Sequence, residues 1–518
     1  MNERKQRNHA IIIGGSIGGM VTAAYLSKYF KRITIIESDD VLNDKLMQST
    51  PEQLLDYRCL LENASSLGRT GVGQILQFHV IETEAYNILF NCYPELKDKL
   101  INVYGARICS LKHEMKFVVN EALLSQDLTE DFDWIGIDRF TLETVLRREL
   151  CLQFNDTNQI EWKCNSRVSQ LLVDAESNTV LGVKYRSKNV DESQFELYGD
   201  FIVDCTGRLS SSTKWLKESL NLIVPTEQIH FGLGYVTFIG ERFKTGRPEL
   251  DSAHLIGDAT YTPHHNKAFG TSAVRQIKTM DENSLGTLSN VLIYCINSEY
   301  PPNDSYDSVL EWAKEYLHPD YYLILKSTKP AGPLVPYRRA INDRKYVEKL
   351  GKKWPRNYIL LGDAMCAFNP QYGQGIAHTC RQARLLGQIF EQNRCRLSDI
   401  SHVYNRRASA ISEECWMIST TNDWATPNLK VVKTDSSGVI RTYQRGGEKV
   451  HPSPKVPLLI KFLQWYNYWF FQCASKSGEL ATDFIHVMNQ EKGPFLLMKP
   501  KTILKVIYAS LLHNYSKS

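Results

Sequence analysis

Ala10-Ile-Ile-Ile-Gly14-Gly-Ser16-Ile17-Gly18-Gly19-Met20 is an apolar run broken by a glycine-rich turn. Ala10 to Ile13 reads as a short buried strand and Met20 to Tyr29 as a helix. A second strand, Arg32 to Ile36, ends on Glu37, 18 residues beyond Gly19. This spacing predicts the opening βαβ unit of a doubly wound sheet. Gly14 allows the tight turn, and Gly19 lets the helix pack closely on the strand. The free N–H groups of the helix N-terminus suit a diphosphate. Ser16 stands where the second glycine of such a fingerprint is usual, and Ile17 and Gly18 complete the turn. Glu37 is placed to accept a hydrogen bond from a ribose hydroxyl. The alternative is a glycine-rich turn that holds no ligand.

A second glycine loop lies far along the chain: Tyr358-Ile-Leu-Leu-Gly-Asp363-Ala-Met-Cys-Ala-Phe-Asn-Pro370-Gln-Tyr-Gly373-Gln-Gly375-Ile376. Tyr358 to Leu361 reads as a buried strand, Gly362-Asp363 breaks it, and a helix runs from Ile376 to Phe390. A strand thus delivers one carboxylate and a glycine loop feeds a helix N-terminus, which suits an anionic or electron-rich group. Between the two loops, Phe195 to Val203 reads as one strand ending in Asp204-Cys-Thr-Gly207-Arg208. That end returns the chain toward the nucleotide turn.

Outward from these three stretches the signal is weaker. Leu67 to His79 is a glycine-punctuated loop whose Arg69 and His79 either border the ligand or are a surface arginine and a satisfied histidine. Asp138 to Leu150 is an amphipathic helix with Arg139 at its start, in reach of a phosphate or simply solvated. Ile160 to Lys188 alternates as strands around a turn at Asn178. From Glu227 to Trp354 strand-like runs (His230 to Gly240, Val291 to Ile296) mix with a helix at Tyr306 to Tyr316. This region is expected to supply a substrate sheet. Its aromatic candidates are Tyr235, Phe238, Tyr261, Phe269, Trp312, Tyr337 and Trp354, each of which also suits plain core. The remainder reads as helical, with Asp435 to Pro457 as a linker or surface loop.

The 518 residues suffice for two or three domains with a sizeable core. A net charge of +4 argues against nucleic-acid binding through a broad basic field. Twelve scattered cysteines, none in C-x-x-C spacing, disfavour zinc or dithiol chemistry and favour a reducing, cytoplasmic setting. Met1 to Asn8 lacks a signal-peptide core, and no run of 18 uncharged apolar residues predicts a membrane span. Pro457 to Ala474 and Phe495 to His513 are apolar and carry scattered lysines, which suits peripheral contact with a membrane surface. The alternative is a helix pair packed on the protein itself.

Together, Gly14 to Gly19 with Glu37, the Asp204-Cys-Thr-Gly-Arg208 strand end, and Gly362-Asp363 through Gly375 resemble the FAD-dependent monooxygenases of the para-hydroxybenzoate hydroxylase type. The Arg69-Thr-Gly-Val-Gly-Gln…His79 run and Asn369-Pro-Gln-Tyr-Gly-Gln-Gly375 look closest to the branch with polyether epoxidases and relatives of squalene epoxidase. The resemblance covers residues 8–210 and 355–390.

It implies an α/β fold: a Rossmann-like FAD-binding domain with an inserted mixed-sheet substrate domain and a helical C-terminal tail. The implied layout is 8–226 and 355–395 for FAD, 227–354 for substrate, and 396–518 for the tail. Gly14, Ser16 and Gly19 would line the FAD diphosphate and Glu37 the ribose. Arg139 would contact the cofactor, Asp363 its ribityl chain or diphosphate side, and Pro370 to Gly375 the flavin ring. Arg69, Asp204 and Gly207 complete the expected cofactor set. The implied reaction inserts one atom of dioxygen into a small lipophilic substrate through a flavin C4a-hydroperoxide. NAD(P)H, or a partner reductase, would supply electrons. Other readings are a prenyl-chain reductase or desaturase on the same scaffold, a flavin-dependent halogenase, whose Trp-x-Trp-x-Ile-Pro motif is missing here, and a non-catalytic flavoprotein escort.

Overall fold

The computed structural model describes residues 7–60, 68–188, 194–259, 266–278, 285–392, 397–446 and 450–515. Its organising element is a five-stranded, all-parallel sheet. In spatial order the strands are Tyr358–Leu360, Phe201–Asp204, Arg7–Ile13, Phe30–Ile36 and Ile160–Lys163. Ala10, Ile11 and Ile12 are fully buried, which is why the strand reads as an unbroken apolar run rather than an alternation. Helix Ile17–Leu26 follows the glycine turn and packs on helix Gly375–Gln392, so the two glycine loops meet although they are far apart in sequence. Gly14 has φ +99°, and a Cβ on Gly19 would fall 1.9 Å from the Gly14 carbonyl oxygen. Only glycine serves at either place.

The hairpin predicted around Asn178 is present, with strands Ser166–Asp174 and Thr179–Ser187 and Asn178 itself at φ +51°. The single strand expected from Phe195 to Val203 is two. Gln194–Tyr198 pairs with the hairpin and Phe201–Asp204 enters the parallel sheet. The chain changes sheets at Gly199-Asp200, where the Asp200 carboxylate accepts the His9 backbone N–H at 2.9 Å.

The second sheet is mixed and has eleven strands. Its long members Thr226–Glu241, Lys267–Lys278, Leu285–Cys295 and Val335–Lys345 come from the inserted region. It also recruits Met115–Val119 from earlier in the chain and the hairpin Lys430–Thr434/Ile440–Gln444 from later. Part of the stretch expected as a linker after Asp435 is therefore sheet edge. Beyond the long helix Leu397–Asp423 come helices Leu458–Ala474, Gly478–Met488 and Pro500–Tyr515. Tyr466, Phe470 and Phe471 pack in one cluster with Met115, Trp134 and Leu255 of the body. No helix among the described residues is long and apolar enough to cross a membrane. The architecture is the expected α/β one: a Rossmann-like layer, an inserted mixed sheet and a helical C-terminal region.

Candidate cofactor and substrate site

A cavity of about 880 Å³ lies between the two sheets. It starts at the first glycine turn (Gly14, Ser16, Ile17, Gly18) and Glu37, passes Arg69, Arg139 and Gly207, and reaches Asp363, Pro370, Gly373 and Gly375. Two expected site residues do not line it. Gly19 lies one step behind, held against Gly14. Asp204 is fully buried with its carboxylate saturated: it accepts from the Thr206 N–H at 2.8 Å, from the Thr206 hydroxyl at 2.5 Å, and from the hydroxyls of Ser210 and Ser212. A strand-end aspartate followed by Thr and Ser folds back on its own loop. It shapes the turn that presents Gly207 and does not itself line the cavity.

At the turn end, six charged side chains form a buried network. Arg69, 2% exposed, reaches Glu37 Oε1 at 3.0 Å, Asp39 Oδ2 at 2.8 Å and Glu143 Oε1 at 2.8 Å. Glu143 also pairs with Arg147 at 2.8 Å and Arg139 at 3.3 Å, and accepts the Ser16 hydroxyl at 2.6 Å. Three guanidinium groups thus balance three carboxylates. Burial pushes the Glu143 carboxyl up, but Arg69, Arg147 and Arg139 outweigh it and hold the pKa at about 2. Glu37 Oε2 takes only the Gly15 N–H, at 2.8 Å, so it keeps room for one further donor. Arg139 Nε is buried with no partner. The sequence reading found Arg69 and Arg139 but missed Glu143, Asp39 and Arg147. The signal available was spacing: Glu143 sits four residues after Arg139 and four before Arg147 on helix Arg139–Phe154.

At the second loop, Arg208 Nε lies 3.1 Å from Asp363 Oδ2 while its other nitrogens donate to the Ile341 and Phe368 carbonyls. The loop is fixed from behind. Asn369 Nδ2 donates to Asp423 Oδ1 at 2.9 Å, Asn342 Nδ2 donates to Asp423 Oδ2 at 2.5 Å, and the Asn369 N–H donates to Asn342 Oδ1 at 2.7 Å. Gly373 turns at φ +68° and helix Gly375–Gln392 begins two residues on, its first residues lining the cavity. His79 lines the wall between. Burial and the Arg139 charge lower its pKa to about 3, so the ring stays neutral with Nδ1–H donated to the Gln77 carbonyl at 2.9 Å.

The remaining wall is apolar and aromatic. Phe117, Trp134, Leu255, Phe269, Tyr294 and Leu292 line it with Tyr235 and Tyr337, whose rings sit 5.1 Å apart. Of the aromatic candidates, Tyr235, Phe269 and Tyr337 therefore face the cavity. Phe238 is core beneath the mixed sheet, Trp354 is buried and stacks on Tyr358, and Trp312 packs on Tyr316. Tyr261 lies outside the described residues. No cluster of metal-ligating side chains occurs among the described residues, and their cysteines are free thiols.

No family model matches the chain. Protein Rv3254 of Mycobacterium tuberculosis is 22% identical over 438 residues, 80% of each chain. Among solved structures, PqsL of P. aeruginosa, in complex with 2-aminobenzoylacetate, has a TM-score of 0.53 at 13% identity, covering 80% of this chain and 97% of its own. The flavin-dependent brominase Bmp2 has a TM-score of 0.56 at 11% identity over 98% of this chain and 99% of its own. A 2-methyl-3-hydroxypyridine-5-carboxylic acid oxygenase has 0.52 at 15%, covering 81% and 91%. At these identities the likeness is one of fold.

Proposed function

We propose that the cavity holds FAD and that the protein is an FAD-dependent monooxygenase acting on a small lipophilic substrate. The observation that carries this is one continuous cavity joining the first glycine turn to the Asp363–Gly375 loop and then to an aromatic wall. The donor set fits FAD. The Gly14–Gly18 turn and helix Ile17–Leu26 offer N–H groups to a diphosphate, with no acidic residue in the helix's first turn to oppose it. Arg139 Nε is an orphaned buried donor beside that turn, and Glu37 Oε2 has room for a ribose hydroxyl. Asp363 would meet the ribityl side, with Arg208 holding it in place. The N-terminus of helix Gly375–Gln392 would favour negative charge at the ring.

Bound FAD would supply the oxygen chemistry, using electrons from NAD(P)H directly or through a partner reductase. The chain's part is positioning. The aromatic wall takes an apolar substrate and keeps water from the reacting end. Epoxidation and hydroxylation are both open to such a wall. A halogenase is the second reading, because the likeness to the brominase runs over nearly the whole chain. The missing Trp-x-Trp-x-Ile-Pro stretch opposes it.

The test is turnover with NAD(P)H and a panel of isoprenoid, polyketide and aromatic substrates under labelled dioxygen, with and without bromide. A product carrying one labelled oxygen is expected. A brominated product, a reduced product without label, or flavin retained with no substrate-stimulated NAD(P)H oxidation would each replace the proposal.

The reading includes peripheral membrane contact through the C-terminal helices. Leu458 is 83% exposed, Phe495 78%, Leu504 68% and Leu511 62%. Helices Leu458–Ala474 and Pro500–Tyr515 pack on each other and contain no Asp or Glu, while Lys461 and Lys501 are exposed. An apolar face with lysines and no acids suits an anionic bilayer surface.

A further inference from the structure

Glu82 is a carboxyl with nothing to hold it. It is 2% exposed, lines the cavity, and both its oxygens are buried without a hydrogen-bond partner. It stands at the N-cap of helix Thr83–Cys92, yet its side chain makes no cap hydrogen bond. A buried polar group left this way costs stability unless a ligand completes it. Its place is defined by the second loop: a Cβ on Gly373 would come 2.9 Å from Glu82 Oε1. The carboxyl therefore stands against the turn of Pro370–Gly373. A second orphan flanks the same turn. Gln371 lines the cavity, and neither its amide oxygen nor its amide nitrogen has a partner. Burial alone holds the Glu82 carboxyl well above its ordinary range, which favours the protonated form. In that form the carboxyl presents one O–H donor beside one C=O acceptor.

A neutral carboxylic acid is complementary to a group that carries N–H next to C=O, since the pair closes with two hydrogen bonds. The pyrimidine end of a flavin has such an edge, C=O, N3–H, C=O. We propose that Glu82 reads this edge, accepting from N3–H and donating to an adjacent carbonyl, and so fixes the ring against the Gly373 turn. The inference rests on the FAD reading above and adds a residue that neither glycine loop contains.

The experiment is equilibrium binding of FAD and of FAD methylated at N3, followed by flavin fluorescence, to the full-length protein and to Glu82→Ala and Glu82→Gln. The native protein should bind the methylated flavin about tenfold more weakly than FAD, the worth of one buried hydrogen bond. Glu82→Ala should bind FAD about tenfold more weakly than the native protein and lose the discrimination, because the methyl now has space and no partner is lost. Glu82→Gln keeps a donor beside an acceptor and should stay within about twofold of native for FAD.

Equal binding of the two flavins by the native protein overturns the inference, as does discrimination that survives in Glu82→Ala. The comparison on the native protein needs no substitution, so a poorly folding variant does not remove the test. Native FAD affinity in Glu82→Ala with weakened substrate binding assigns the carboxyl to the substrate and overturns the inference while leaving the FAD reading intact. Failure of the native protein to bind either flavin refutes both.

Discussion

Glu143→Gln removes one negative charge from the buried network with almost no change of volume. Three guanidinium groups then face two carboxylates, Glu37 and Asp39, and one positive charge is uncompensated in a site that is almost fully buried. Breaking a buried ion pair by removing one partner costs about 3–5 kcal/mol. Linkage gives a similar figure: a carboxyl held at about 2 instead of 4.5 contributes about 3 kcal/mol. The folded pKa is depressed, so this contribution is complete above 4.5 and is lost as pH falls through 4.5 toward 2. Denaturant unfolding at neutral pH should show the variant less stable by this amount, and the gap should close as the pH falls through that window. The unbalanced charge faces the turn assigned to a diphosphate, so saturating FAD should recover part of the loss by binding only the folded state. Equal stability at neutral pH would refute the network's role. A gap that persists at low pH would show that shape, not charge, was lost. A gap indifferent to FAD would separate the network from the cofactor.

Asp363→Ala leaves Arg208 without its carboxylate and, on the proposed placement of FAD, takes away a ribityl contact, so FAD occupancy of the purified protein should fall, with affinity reduced about tenfold. Unchanged flavin absorbance per protein would remove Asp363 from the site. For the membrane face, the paired substitution Leu504→Glu/Leu511→Glu should abolish co-sedimentation with vesicles containing anionic lipid while FAD binding stays native. Persistent sedimentation would rule that face out. Point substitution is needed because deleting the chain after Pro457 would strip Tyr466, Phe470 and Phe471 from the cluster that covers Trp134 and Leu255, and so unroof the cavity wall.

The parts of this fold that were legible in the sequence are those where the backbone itself must do something unusual. Gly14 needs a positive φ, Gly19 must let a helix touch a strand, and Gly373 must turn beside a carboxyl. Such needs select glycine at fixed spacing, so both loops and the strands feeding them could be placed. The mixed sheet was less legible because its membership is tertiary. Met115–Val119 and the Lys430–Gln444 hairpin join it from distant segments, and nothing in their own pattern names their partner. Phe195 to Val203 looked continuous because both halves are apolar enough, whereas the switch between sheets is set by Gly199-Asp200 and the His9 backbone.

Polar side chains at the site divide along the same physical line. Arg69 and Arg139 could be suspected because a positive charge beside a glycine loop or at a helix start suits an anionic ligand, although a solvated arginine fits the same local pattern. Asp204 lies off the cavity because a strand-end carboxylate has two ways to be satisfied, by a ligand or by its own loop. The hydroxyls of Thr206, Ser210 and Ser212 lie close enough in sequence to win. Glu82 was invisible for the opposite reason. Its local sequence, Val80-Ile-Glu-Thr83, is that of an ordinary helix start, where a glutamate normally faces water or caps the helix. Only the fold removes both options by burying the side chain against the Gly373 turn. A local motif predicts a polar group whose partners are local. A polar group completed by a ligand is recognised by what remains unpaired once every local partner has been counted, and among the described residues of this cavity that leaves Glu82, Gln371, Asp343 Oδ1 and Arg139 Nε, with Arg208 Nε held only by its ion pair to Asp363. The Arg139 donor lies beside the first glycine turn, and Glu82 and Gln371 flank the second. Glu82, Gln371 and Arg139 Nε thus stand toward the two ends of one elongated cavity, the arrangement that the proposed dinucleotide with a heterocyclic head would require.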